Sequence, residues 1–123
     1  MDGWAGARRL GLALAVWTLT ASVALGHGAL RRAEPPIEST LKRAPEEVKL
    51  YFSERLEAAY CAVRVENRQG ARVDRGDGHV DRSNPLLLRA TLPPLPPGTY
   101  TVIWRVLSVD SHVTEGRFPF HVE

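Results

Sequence analysis

Short runs of alternating apolar and polar residues, each cut off by proline or glycine, constrain this sequence more than any other feature. In EEVKLYF (Glu46 to Phe52), Val48, Leu50 and Phe52 fall on one side of an extended backbone, and in CAVRVEN so do Cys61, Val63 and Val65. LLLRATL (Leu86 to Leu92) is a third such run, and TYTVIWRVL (Thr99 to Leu107) is apolar on both faces, as a central strand should be. RFPFHVE reads as an edge or terminal strand, because Pro119 has no N–H to donate to a ladder. No stretch after residue 27 keeps a helical period, and SERLEAAY offers one helical turn at most. Pro35-Pro36, Ala44-Pro45, Gln69-Gly70, GDGHVDRSNP and PPLPPG supply the turns between runs. With further strands near Ala29 to Glu34 and Ala71 to Asp74, the count reaches about seven. That spacing predicts an all-β fold, an immunoglobulin-like Greek-key sandwich or flattened barrel.

The first residues follow a different rule. Arg8 and Arg9 precede the apolar LGLALAVWTLTASVALG (Leu10 to Gly26), which ends on the small residues Ala24 and Gly26. This is the layout of a cleaved signal peptide, and its strongly apolar part is shorter than the ~20 residues of a membrane span. Residues 1–26 are therefore expected to be removed, leaving 27–123 as one small domain that starts at His27 and resides in the periplasm or outside the cell. Losing Arg8, Arg9 and Asp2 lowers the formal net charge from +2 to +1, which leaves no electrostatic footprint for nucleic acid. Cys61 is the only cysteine, so no internal disulfide forms. It reads as a small buried core residue, and the domain is expected to be a monomer held by packing alone.

A histidine exposed by cleavage has unusual chemistry. Its α-amine has a pKa of roughly 7.7–8.0, and the amine and the near imidazole nitrogen can close a chelate ring on one metal ion. Partner ligands stand in SVDSH, where Asp110 and His112 are two apart and would project to the same side of an extended chain. His27, Asp110 and His112 together offer three nitrogens and one carboxylate oxygen. A tetragonal N,O set suits Cu(II), and zinc remains an alternative. Spacing alone does not bring His27 to the other two.

The same residues carry a resemblance. His27, Leu30, Pro35, Leu41, Ala44-Pro45 and Val48-x-Leu50-x-Phe52-Ser53-Glu54 are followed by Val63, Val65 and Gly70. Then come Leu95, Pro97-Gly98-Thr99-Tyr100, Trp104-Arg105-Val106, Ser108, Asp110, His112, Gly116, Phe118, Phe120 and Val122. This order of FSE, GTY to SxDxH, and GxFxF resembles the CopC family of exported copper-binding proteins nearly end to end. The resemblance implies one Cu(II) ion held by His27, Asp110 and His112, with Glu54 as a weak ligand or an outer neighbour. Some members carry a second, methionine-rich Cu(I) site. Here the only methionine is Met1, so a Cu(II)-only protein is expected.

Four other residues carry plainer roles. His79, in the GDGHVDRSN loop, and His121, near the end of the last strand, read as solvent-facing, and Trp104 as core; Arg105 is placed to pair with a site carboxylate. The leading expectation is a non-enzymatic copper carrier or buffer, and the resemblance implies that it hands its ion to a CopD-like membrane protein. Two alternatives are an oxidative copper enzyme with a terminal histidine chelate and a metal-free immunoglobulin-like interaction module. No nucleophile and base arrangement and no Gly-rich phosphate loop stands out.

Overall fold

The structure, a computed structural model, describes the backbone of Ala24–Leu25 and residues 29–123. The rest of the expected signal peptide and His27 itself lie outside the described residues. The strands are β1 (Ala24–Leu25), β2 (Leu30–Glu34), β3 (Thr40–Leu41), β4 (Glu47–Phe52), β5 (Ala62–Glu66), β6 (His79–Val80), β7 (Leu87–Thr91), β8 (Gly98–Leu107) and β9 (Val113–Val122). They form two sheets. One runs β1-β9-β8-β5 with β3 also on β9, and the other runs β2-β4-β7-β6.

Alternation builds the core. Val48, Leu50 and Phe52 of β4 turn inward with Leu88 and Ala90 of β7, and meet Val63, Val65, Val102, Trp104, Val106, Phe118 and Phe120 from the facing sheet. All of these are buried, as the period of two requires. Trp104, 1% exposed, packs edge-on against Phe52 with ring centroids 5.1 Å apart. Gly116 lies directly across from Trp104 in the β8–β9 ladder. A Cβ there would sit 2.7 Å from Trp104 Cζ2, so only glycine leaves room for the indole.

The sandwich matches the expected fold, with local differences. The two-residue strands β1, β3 and β6 raise the count above seven. No strand forms at 71–74, because the Asp74 carboxylate takes the Val65 N–H (2.9 Å) that a neighbouring strand would have satisfied. Only a single bridge, Glu66 to Arg72, remains there. SERLEAAY makes its one turn as a 3₁₀ segment at Ala58–Tyr60. β8 is central between β5 and β9, yet Ile103 and Leu107 on its outward side are half-exposed, and Ile103 borders an open depression on that face. β9 begins four residues before Arg117, directly after the SxDxH segment. Cys61 is half-buried rather than buried: its thiol donates toward the Glu57 carbonyl (3.2 Å), and it packs against the rim of the core.

Candidate metal centre

β8 and β9 pair over ten residues, from Gly98 with Val122 to Leu107 with Val113, and the five residues Ser108–His112 close the hairpin. Ser111 N–H donates to the Ser108 carbonyl (2.9 Å), and Ser111 takes the left-handed conformation, φ 73°. Ser108 N–H reaches the His112 carbonyl (2.9 Å), and Val109 N–H reaches the Arg55 carbonyl (2.9 Å), which ties the turn to the segment after β4. The turn therefore has a fixed shape before any ligand is considered.

That shape brings Asp110 and His112 together. Asp110 Oδ2 lies 3.0 Å from His112 Nδ1. The other oxygen, Oδ1, accepts from the Ser108 hydroxyl and from the His112 backbone N–H (3.3 Å). The Ser108 hydroxyl, and after it the His112 side chain, hold the Asp110 carboxyl below the usual carboxylate range. Asp110 is thus a carboxylate at neutral pH, oriented by a buried serine. The expectation that the pair shares one side of an extended strand is corrected here: the two meet through a turn, and the left-handed Ser111 between them supplies the reversal.

Both residues open onto a depression of about 300 Å³ at this end of the sandwich. Phe52, Leu56 and Val106 form its apolar floor, and Ala29, Ser53, Glu54 and Thr114 complete the rim. The Ser53 N–H donates to the Ala29 carbonyl (2.8 Å), so the described chain enters from residue 29 at the edge of this depression. Glu54 borders it, exposed, but does not join Asp110 and His112 as a third donor. Among the described residues, no three His, Cys, Asp or Glu side chains are grouped to hold a metal ion.

The geometry of the pair can be tested against a metal. Nitrogen and oxygen donors sit about 2.0–2.2 Å from a small divalent ion, so two donors at a right angle are roughly 2.8–3.1 Å apart. The 3.0 Å separation of Asp110 Oδ2 and His112 Nδ1 fits one edge of a tetragonal ion. Their present contact also fits a hydrogen bond in which Nδ1–H faces the carboxylate and Nε2 is left as the free lone pair.

The other candidates fall elsewhere. His79 is exposed in β6, its Nδ1 2.8 Å from the Asp77 carbonyl. His121 Nδ1 is 2.9 Å from Thr99 Oγ1 on the outward side of the β8–β9 ladder, half-buried rather than freely solvent-facing. Arg105 does not pair with a site carboxylate; it faces Glu115 at 3.4 Å, directly across the ladder. A depression of about 500 Å³ on that outward face is bordered by Arg64, Arg72, Arg105 and Arg117 and offers no imidazole or thiol. Ser108 was legible only as a letter of SxDxH, and its role as the partner of Asp110 follows from the turn.

The closing hairpin of this β-sandwich thus presents an aspartate and a histidine beside an apolar-floored depression. A family model described as the CopC domain matches residues 30–123, and the chain belongs to the CopC family. It is 32% identical over 121 residues to protein YobA of Escherichia coli, covering 95% of this chain and 97% of that protein. It is 30% identical over 97 residues to the copper transport protein CutJ of Bacillus subtilis, which takes in 78% of this chain and 18% of CutJ. The chain thus spans less than a fifth of that relative. The crystal structure of CopC from Methylosinus trichosporium superposes with a TM-score of 0.69 at 32% identity, covering 79% of this chain and 94% of CopC.

Proposed function

We propose that this protein is an exported Cu(II) carrier, not an enzyme, that binds one copper ion at the SxDxH hairpin and buffers it or passes it to a CopD-like membrane protein. In this reading residues 1–26 are a signal peptide, and His27 begins the mature domain and contributes its α-amine and imidazole. The observation that carries it is that the hairpin turn brings the Asp110 carboxylate and the His112 imidazole within 3.0 Å of each other beside the depression, one oxygen and one nitrogen donor side by side. Ala29 at the rim supports the third ligand: two residues of chain reach at most about 7 Å, so a chain starting at His27 has the depression within range. Asp110 favours the divalent state, and the lone Met1 provides no thioether set for Cu(I). Glu54, on the same rim, acts as an outer neighbour that tunes the site rather than as a fixed ligand.

Copper titrations of His112→Ala and His79→Ala test the choice of loop. His112→Ala should weaken binding by orders of magnitude and His79→Ala should leave it unchanged. Equal losses would place copper somewhere other than the hairpin.

A further inference from the structure

The edge of β9 that faces away from β8 is closed unevenly. At its far end β3 covers it: the Glu38 N–H donates to the Pro119 carbonyl (2.8 Å) and the His121 N–H to the Ser39 carbonyl (2.8 Å). In an antiparallel ladder, alternate residues turn both backbone groups to the same side. β9 keeps one unbroken register with β8, so Val113, Glu115 and Arg117, like Pro119 and His121, direct their backbone groups to this outer edge. Among the described residues, the strand that meets this stretch is β1, whose Ala24 and Leu25 lie in parallel register with Thr114 and Glu115. β1 belongs to the segment removed in the reading above. Its loss opens an edge, and an open edge is a template for pairing with another strand.

The side chains select the partner. Glu115 and Arg117 stand on the outward face on either side of Gly116, Arg117 exposed and Glu115 half-exposed. We propose that this edge of the cleaved protein pairs antiparallel with the same edge of a second copy, about a twofold axis at Gly116. The proposal rests on the reading above only for the removal of residues 1–26. With the axis there, Glu115 of each copy faces Arg117 of the other. The facing residues exchange their edge N–H···O bonds, and an opposite-charge pair forms on each side of the axis. No other twofold antiparallel register does this. An axis at Glu115 or at Arg117 sets like charges opposite each other, which destabilises the pairing. Gly116 meets only itself, where the strands come closest. The two His112 residues then lie about 27 Å apart along the ladder, at about 3.4 Å per residue, so both metal hairpins stay open. Such a dimer replaces the monomer expected from the sequence, since periodicity shows strands but not which edge is left open.

Sedimentation equilibrium of the metal-free protein beginning at His27 tests this, with Glu115→Arg and Arg117→Glu as charge reversals. The unsubstituted protein should move toward twice the monomer mass as its concentration rises. Each reversal alone should hold the protein at monomer mass, because like charges then meet on both sides of the axis. An equimolar mixture of the two variants should recover the dimer, since the arginines of one then face the glutamates of the other. The double variant, with both charges exchanged, should dimerise as the unsubstituted protein does. An unsubstituted protein that stays monomeric at every concentration overturns the proposal. So do single variants that dimerise undiminished, or a mixture and a double variant that stay monomeric with near-ultraviolet circular dichroism unchanged. Because the measurement is metal-free, a protein that dimerises as described but binds no Cu(II) overturns the carrier reading alone.

Discussion

Asp110 is held as a carboxylate by one hydroxyl and the neighbouring histidine, and each contact makes a prediction. Ser108→Ala removes the larger of these influences, so the Asp110 pKa should rise toward the ordinary carboxylate value, readable by NMR titration of its side-chain carbonyl. Copper affinity should drop about tenfold in the same variant, as for other lost outer partners. The sign of the pH dependence follows from the direction of the shift. A depressed Asp110 contributes to folding above the unfolded carboxylate pKa of about 3.9, and that contribution is lost as pH falls through its lower folded value. Copper should leave earlier, because protons compete with the metal for its nitrogen ligands before they reach the depressed Asp110 carboxyl. Acidification followed by copper binding and by near-ultraviolet circular dichroism should therefore show metal loss before the fold changes. Affinity that holds down to about pH 4 would rule out nitrogen ligands. Ser111 offers a separate test: glycine should be tolerated at its φ of 73°, and valine should cost about 1–2 kcal/mol by denaturant unfolding.

The β8–β9 hairpin is the element that makes the site, and it also carries the close approach of Gly116 to the Trp104 ring. Gly116→Ala would force a methyl group to within 2.7 Å of the Trp104 ring, so we expect a loss of about 1–3 kcal/mol of stability and a changed tryptophan emission. Alternation made the long strands legible in advance, since a period of two with one buried face leaves little freedom of assignment. It did not reveal the bare bridge at Glu66 and Arg72, where a side-chain carboxylate replaces ladder hydrogen bonds, nor the two-residue β6. Such choices turn on one hydrogen bond each. The pairing of Asp110 with His112 was legible as a spacing, but the left-handed serine that brings them together was not, because no glycine marks the reversal.

At the scale of the molecule, the candidate centre lies where the two sheets meet at one end: the hairpin comes from one sheet, and Ala29, Phe52, Ser53 and Glu54 come from the other. Periodicity cannot bring residues 29, 54 and 110 together. The order of motifs along the whole chain pointed to that assembly through its resemblance to CopC proteins, and the family match over residues 30–123 agrees. Copper binding as proposed depends on the terminal chelate of His27 with Asp110 and His112. Its most direct test is a Cu(II) titration read by Trp104 fluorescence and electron paramagnetic resonance, comparing protein that begins at His27 with protein carrying one extra residue before it. The protein that begins at His27 should bind tightly, one to one, with a nitrogen-rich spectrum, and the extended protein should not. Equal binding by the two proteins, or none by either, would contradict it.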